Sequence, residues 1–176
     1  ELASEAREVE ENQLFITNQS YKSKFFHTLE KFAEDLHKKG IAEKNIANYL
    51  QALFDGINRQ VYNTPIDLFI EDRIYKRFPK LRPFQFLSLF AMMQEGIQAT
   101  TKPEIVKNTP KNILSKSKIF NLINAMHFKT LYKVDLVQDH KPSKLELSQA
   151  NELYSEFLEY RDDKAPGEEY ELVQHW

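Results

Sequence analysis

The sequence has 176 residues, 24 Lys and Arg against 26 Asp and Glu, and a net charge of −2. Hydrophobic residues make up 41%, with 13 Phe and 8 Tyr, so a chain of this length can bury a real core and is not globally disordered. With 4 Gly it lacks glycine-rich phosphate loops, and with no Cys it has no disulfide, thiolate metal site or cysteine nucleophile.

Apolar residues recur at intervals of three and four, and 7 Pro punctuate the chain. The pattern predicts an all-α domain over 1–176, an irregular bundle of six to seven helices around one aromatic-rich core. The first helix is expected from about Ala3 to Ile16 and is highly polar. The second opens at Ser20 as N-cap, carries Phe25, Leu29, Phe32 and Leu36 on one face, and stops at Gly40. The third runs from about Ala42 to Tyr62 with Ile46, Leu50, Leu53, Ile57 and Val61 inward, packed antiparallel on the second.

Asn63-Thr64-Pro65 is expected to break the chain. A short helix then covers Ile66 to Tyr75, where β-branched residues also permit a strand. Pro83 suits the first turn of the next helix. That helix is the most apolar, with Phe84, Phe86, Leu87, Leu89, Phe90, Met92, Met93 and Ile97, which predicts a place at the centre of the bundle. Residues 99–112 read as a loop with one helical turn. A helix from about Leu114 to Leu131 follows, ending in or followed by an extended piece over Tyr132 to Val137. Ser143-x-x-Glu146 is a capping box opening the last long helix, with Leu147, Ala150, Tyr154, Phe157 and Leu158 inward. Tyr170, Leu172, Val173 and Trp176 begin another. Phe32, Leu53, Phe90, Ile123 and Phe157 are the expected core.

Charge is uneven. Residues 1–13 carry −4 and residues 143–176 carry −6, so on a chain of net −2 the stretch between them carries +8. Arg73, Lys76, Arg77, Lys80 and Arg82 supply one basic group, and Lys111, Lys116 and Lys118 begin another. Such residues suit acidic protein surfaces or phosphates. Asn121 and Asn124 on the second group's helix offer base contacts to a nucleic acid. The scarcity of Arg in that group favours acidic ends folded against a basic middle, or Lys that simply solvate helix faces, and the missing helix-turn-helix turn and the near-neutral pI of 6.3 speak against nucleic acid.

The chemistry-bearing motifs are sparse. There is no H-E-x-x-H and no G-x-S-x-G. The single Glu-x-x-His pair, Glu34 and His37, falls short of the two that a di-iron bundle needs, and His37 suits a helix end. His127, beside Met126 and Phe128, reads as a buried neutral histidine. Asp67 and Glu71 share a helix face as an acid pair, or as an ion-pair ladder with Arg73 and Arg77. The residues therefore predict no catalytic group, no cofactor and no metal site. The opening Glu1-Leu2-Ala3-Ser4-Glu5-Ala6-Arg7 resembles the acidic helix that, in some zinc peptidases, follows the metal-binding helix and supplies a third ligand. That resemblance implies a metal role for Glu1, Glu5 or Glu8 only alongside sequence that these residues do not include.

No segment reaches the roughly 18 apolar residues of a membrane span. The acidic opening lacks signal-peptide character, so a soluble, cytoplasmic protein that does not bind membranes is expected. The leading expectation is a helical structural or protein-interaction module, served by a protein partner or an adjacent domain. The alternatives are a helical domain of a larger zinc-metallopeptidase-like enzyme and a nucleic-acid binder using the basic middle. The polar first helix and the apolar group at the other end also predict a natural chain extending beyond both ends.

Overall fold

A computed structural model of the protein describes residues 17–164 and 169–176. The described residues are 86% helical and contain no strand. Eight α-helices follow in order: α1 Gln19–His27, α2 Glu30–Lys38, α3 Glu43–Arg77, α4 Arg82–Thr101, α5 Pro103–Asn108, α6 Lys111–Tyr132, α7 Lys144–Asp163 and α8 Glu169–His175. The expected helix over Ala3 to Ile16 lies outside the described residues, as do Glu1, Glu5 and Glu8.

The expected second helix is two helices. Asn18, not Ser20, caps α1, its side chain accepting from the Ser20 amide. The Thr28 hydroxyl donates to the Phe25 carbonyl at 2.7 Å, a local bond that competes with continuing the helix. Leu29 then leaves helical geometry and is wholly buried with Ile57 and Ile113. Gly40 stops α2 in the left-handed region, at φ 81°.

The expected break at Asn63-Thr64-Pro65 does not occur, nor does the strand: α3 continues through Pro65 for 35 residues. Proline removes the donor for the Val61 carbonyl, and a helix-interior proline costs about 3 kcal/mol. Burial offsets that cost. Thr64, Pro65, Leu68 and Phe69 are all buried, so the proline and the turn that follows it are packed against the rest of the bundle.

The centre of the bundle is α6, with ten buried residues, among them Leu122, Ile123 and Phe128. The expectation that α4 is central is overturned, because α4 is apolar on two faces and the bundle uses one. Gln85, Leu89, Met93, Gly96 and Thr100 face inward, while Phe84, Leu87 and Met92 face out. Three of the five expected core residues, Phe32, Leu53 and Phe90, are half-buried, whereas Ile123 and Phe157 are wholly buried. Phe32 lies against Tyr49, and Leu53 lies at the edge of the smaller cluster of Leu29, Ile57 and Ile113. Phe90 lies on the flank of α4.

Chain direction follows from the contacts. Ile57 meets Ile113 at one end of α6, and Tyr75 meets Tyr132 at the other, ring centroids 5.2 Å apart, so α3 and α6 run parallel. Against them α4 is antiparallel, with Phe86 on Tyr132 and Gly96 against Asn121. In turn α7 is parallel to α6, with Glu146 beside Lys118 and Phe157 on His127. Residues 133–143 make the return that this requires. Lys133 and Lys141, at φ 62° and 48°, turn the chain at either end of it, and buried Val137 and His140 pin it between them. The Ser143–Glu146 capping box opens α7 with both reciprocal bonds made. Residues 99–112, read as a loop, are largely helical, since Pro103 starts α5 at its first turn. Finally, Leu172 and Val173 of α8 are buried, so part of the apolar group at the C-terminal end packs within this bundle.

Candidate functional site

The expected basic surface divides in two. Lys111, Lys116 and Lys118 occupy the N-terminal half of α6. Arg73, Lys76, Arg77, Lys80 and Arg82 gather at the end where α3 finishes and α4 begins, beside Tyr132. About 14 residues of α6 separate the groups, roughly 20 Å.

Several of these cations serve the fold. Lys118 is 3.7 Å from Glu146 and donates to the Lys141 carbonyl. Burial alone would raise the Glu146 carboxyl, but the Ser143 amide, the Ser115 and Ser143 hydroxyls and Lys118 outweigh it and hold it low. Asp72, buried between two helices, takes Lys76 at 2.6 Å and Arg161 of α7 at 3.3 Å. Arg82 donates to the Tyr75 carbonyl at 2.8 Å, with its guanidinium 4.2 Å from the Tyr75 ring centroid. Arg73, Lys76 and Arg77 line a cleft of about 190 Å³ shared with Arg161, Lys164 and the two acids Asp72 and Glu169. Asn121 turns towards α4, its amide bonded to the Ser117 carbonyl. Asn124 is half-buried.

What the basic residues border is the feature that sequence reasoning missed. Phe78 and Leu81 are 45% and 47% exposed, and Phe84 and Leu87 are 71% and 64% exposed. They recur every three residues across the 3₁₀ turn Pro79–Leu81 and the first turns of α4. On α4, Phe84, Leu87, Ser88 and Ala91 are exposed, on the side opposite Leu89, Met93 and Gly96. Exposed Arg77 and Lys80 stand at its N-terminal end, and residues 73–94 contain no acid. A row of large apolar side chains in water is unfavourable unless something covers it.

The platform beneath the strip is tied across three helices. Tyr132 donates to Gln85 Oε1 at 2.7 Å, and the Gln85 amide donates to the Glu71 carbonyl at 2.8 Å. Burial first, then Glu71, pushes the Tyr132 hydroxyl up to about 12, so it remains a donor. The rings of Phe86, Phe128 and Tyr132 cluster beneath in tilted and edge-to-face contacts, with centroids 5.2–5.4 Å apart.

The buried histidines are structural. The Thr130 hydroxyl donates to the Met126 carbonyl and so accepts from Tyr154, whose oxygen faces His127 Nδ1 at 3.4 Å. That order leaves the proton of His127 on Nδ1 and a bare lone pair on buried Nε2. Burial lowers His127 to about 4. His140 is arranged alike, Nδ1 facing Thr100 Oγ1 at 3.1 Å, and burial lowers it too. Asp67 and Glu71 stand one turn apart on α3, where burial first and then the charge of Glu71 raise the Asp67 carboxyl, while Glu71 accepts from the Gln85 amide. Among the described residues no group of three or more His, Asp or Glu is placed to hold a metal ion, and Glu34 and His37 stand exposed on α2. None of the described helices is long and apolar enough to cross a membrane.

The fold defines an all-α helical bundle with an exposed apolar strip and a basic margin. No family model, curated protein or solved structure matches the chain.

Proposed function

We propose that the protein is a helical interaction module and that the strip from Phe78 to Ala91 is where another protein docks. The observation carrying this reading is that the most apolar helix of the chain turns Phe84 and Leu87 to solvent on a base tied across three helices. Interface cores are rich in such aromatic and aliphatic anchors, ringed by polar groups. Lys76, Arg82 and Lys118 hold the bundle together, and Lys80 flanks this strip.

The test is a photoreactive amino acid placed in turn at positions 84, 87 and 145, with crosslinking in the native cell. Leu145 on α7 is the control, being 67% exposed but away from the strip. A discrete protein adduct from 84 and 87, absent from 145 and lost on Lys80→Glu, is the expected result. Equal labelling from all three positions, or none, refutes the reading.

A further inference from the structure

We infer that the docking partner presents an amphipathic helix whose polar side is acidic; this rests on the strip being a protein interface. The first argument is the backbone. The described residues contain no strand, so there is no sheet edge on which an extended segment could pair. A ligand seated on a helical face must satisfy its own backbone hydrogen bonds, and a helix does so.

The second argument is shape. Phe78, Leu81, Phe84 and Leu87 recur at three and are all exposed, and Ser88 and Ala91 beyond them are exposed and small. Large side chains next to small ones form the ridge and hollow into which a second helix packs. From Phe78 to Ala91 the strip is roughly 20 Å long, taking about 2 Å per residue through the 3₁₀ turn and 1.5 Å along α4. That accommodates some 14 residues of partner helix.

The third argument is charge. Lys80 is exposed between Phe78 and Leu81, and no acid occurs between Arg73 and Gln94. A basic margin steers and selects an acidic ligand and rejects a basic one. A second copy of this chain is a poorer fit, because the strip brings only one acid, Glu95, at its far end. An anionic lipid surface would meet that same exposed Glu95, which it repels.

The experiment uses the full chain and a labelled peptide of about 16 residues. The peptide has Leu at i, i+3, i+7 and i+10, with Ala and Glu elsewhere. A twin peptide replaces every Glu by Lys, and phosphatidylserine vesicles and sedimentation of the protein alone complete the set. The expected result is binding of the Glu peptide only. It weakens about fivefold on Lys80→Glu, as reversal of one rim charge gives, and is lost on Leu87→Asp while Leu145→Asp leaves it unchanged. No binding of the Glu peptide, or equal binding of its Lys twin, overturns the inference. So does vesicle binding, or a dimer abolished by Leu87→Asp. Crosslinks from 84 and 87 together with failure of the Glu peptide would leave the interface standing and remove only its assigned partner class.

Discussion

Acidification should weaken the fold well above the pH at which carboxylates titrate, and His127 should be a principal cause. Its ring is 3% exposed, packed edge-on against Phe157, with Nε2 bare. In the unfolded chain the imidazole takes a proton at its usual 6.5, while in the fold burial delays this to about 4. A depressed histidine means that the unfolded state binds the proton first. Its contribution is therefore intact above pH 6.5 and is lost progressively as the pH falls towards 4. Integrating between those values gives about 2 kcal/mol lost at pH 5 and about 3 kcal/mol at pH 4. His140, shifted in the same direction by burial, adds to the loss. Urea unfolding followed by circular dichroism at pH 7 and pH 5 measures the difference. The His127→Leu variant removes one titrating group, so its loss between the two pH values should be smaller by about 2 kcal/mol. A variant that loses as much stability as the wild-type chain would refute the assignment. So would a His127 ring resonance that titrates near 6.5 in the folded protein.

Other consequences follow from single contacts. A Cβ at Gly96 would lie 2.2 Å from Asn121 Oδ1, so Gly96→Ala should cost about 1–2 kcal/mol by overpacking. In an Asn121→Ala background the nearest remaining contact is His140 Cε1 at 3.6 Å. There the same change should become neutral or stabilising by about 0.5–1 kcal/mol, the usual gain of Ala over Gly in a helix; thermal melts of the four proteins decide it. Phe157→Ala should cost about 3–5 kcal/mol from a wholly buried site, against about 1 kcal/mol for half-buried Phe32→Ala. Equal costs in denaturant titrations would mean that the core is misplaced. Asp72→Ala leaves Arg161 and Lys76 facing each other without their shared acid. It should cost about 3 kcal/mol, and a loss below about 0.5 kcal/mol, the scale of ordinary surface changes, would show the pair to be dispensable.

The helical class was legible in the sequence because apolar spacing at three and four dominates the chain. So were local signals that act within one turn: Gly40 as a stop, Pro83 at a helix start and the Ser143–Glu146 box. What the sequence hid were decisions made by tertiary packing. Pro65 carries a strong local breaking signal, but buried Leu68 and Phe69 outweigh it. The short-range bond of Thr28 and the burial of Leu29 split a helix whose periodicity runs on without interruption. The same blindness concealed the candidate site. A helix apolar on most sides reads as central, and only the folded arrangement shows that α6 holds that position. Arg77 and Lys80 were visible as part of a basic surface, yet charge alone does not reveal that the neighbouring apolar residues are exposed. The one available hint was spacing: Phe78, Leu81, Phe84 and Leu87 recur at three across Pro79 and Pro83, where a regular buried helix does not extend.

The central claim is that α4 shows its apolar outer side to solvent while α6 fills the core. Because the chain has no Cys, a thiol introduced at one position reports that position alone. Labelling rates of the Phe84→Cys and Leu122→Cys variants under native conditions test the claim most directly. The account predicts that F84C reacts about as fast as a thiol in an unfolded peptide, while L122C reacts only as fast as the protein opens. Protection of F84C to the level of L122C would place α4 inside the bundle and contradict the account.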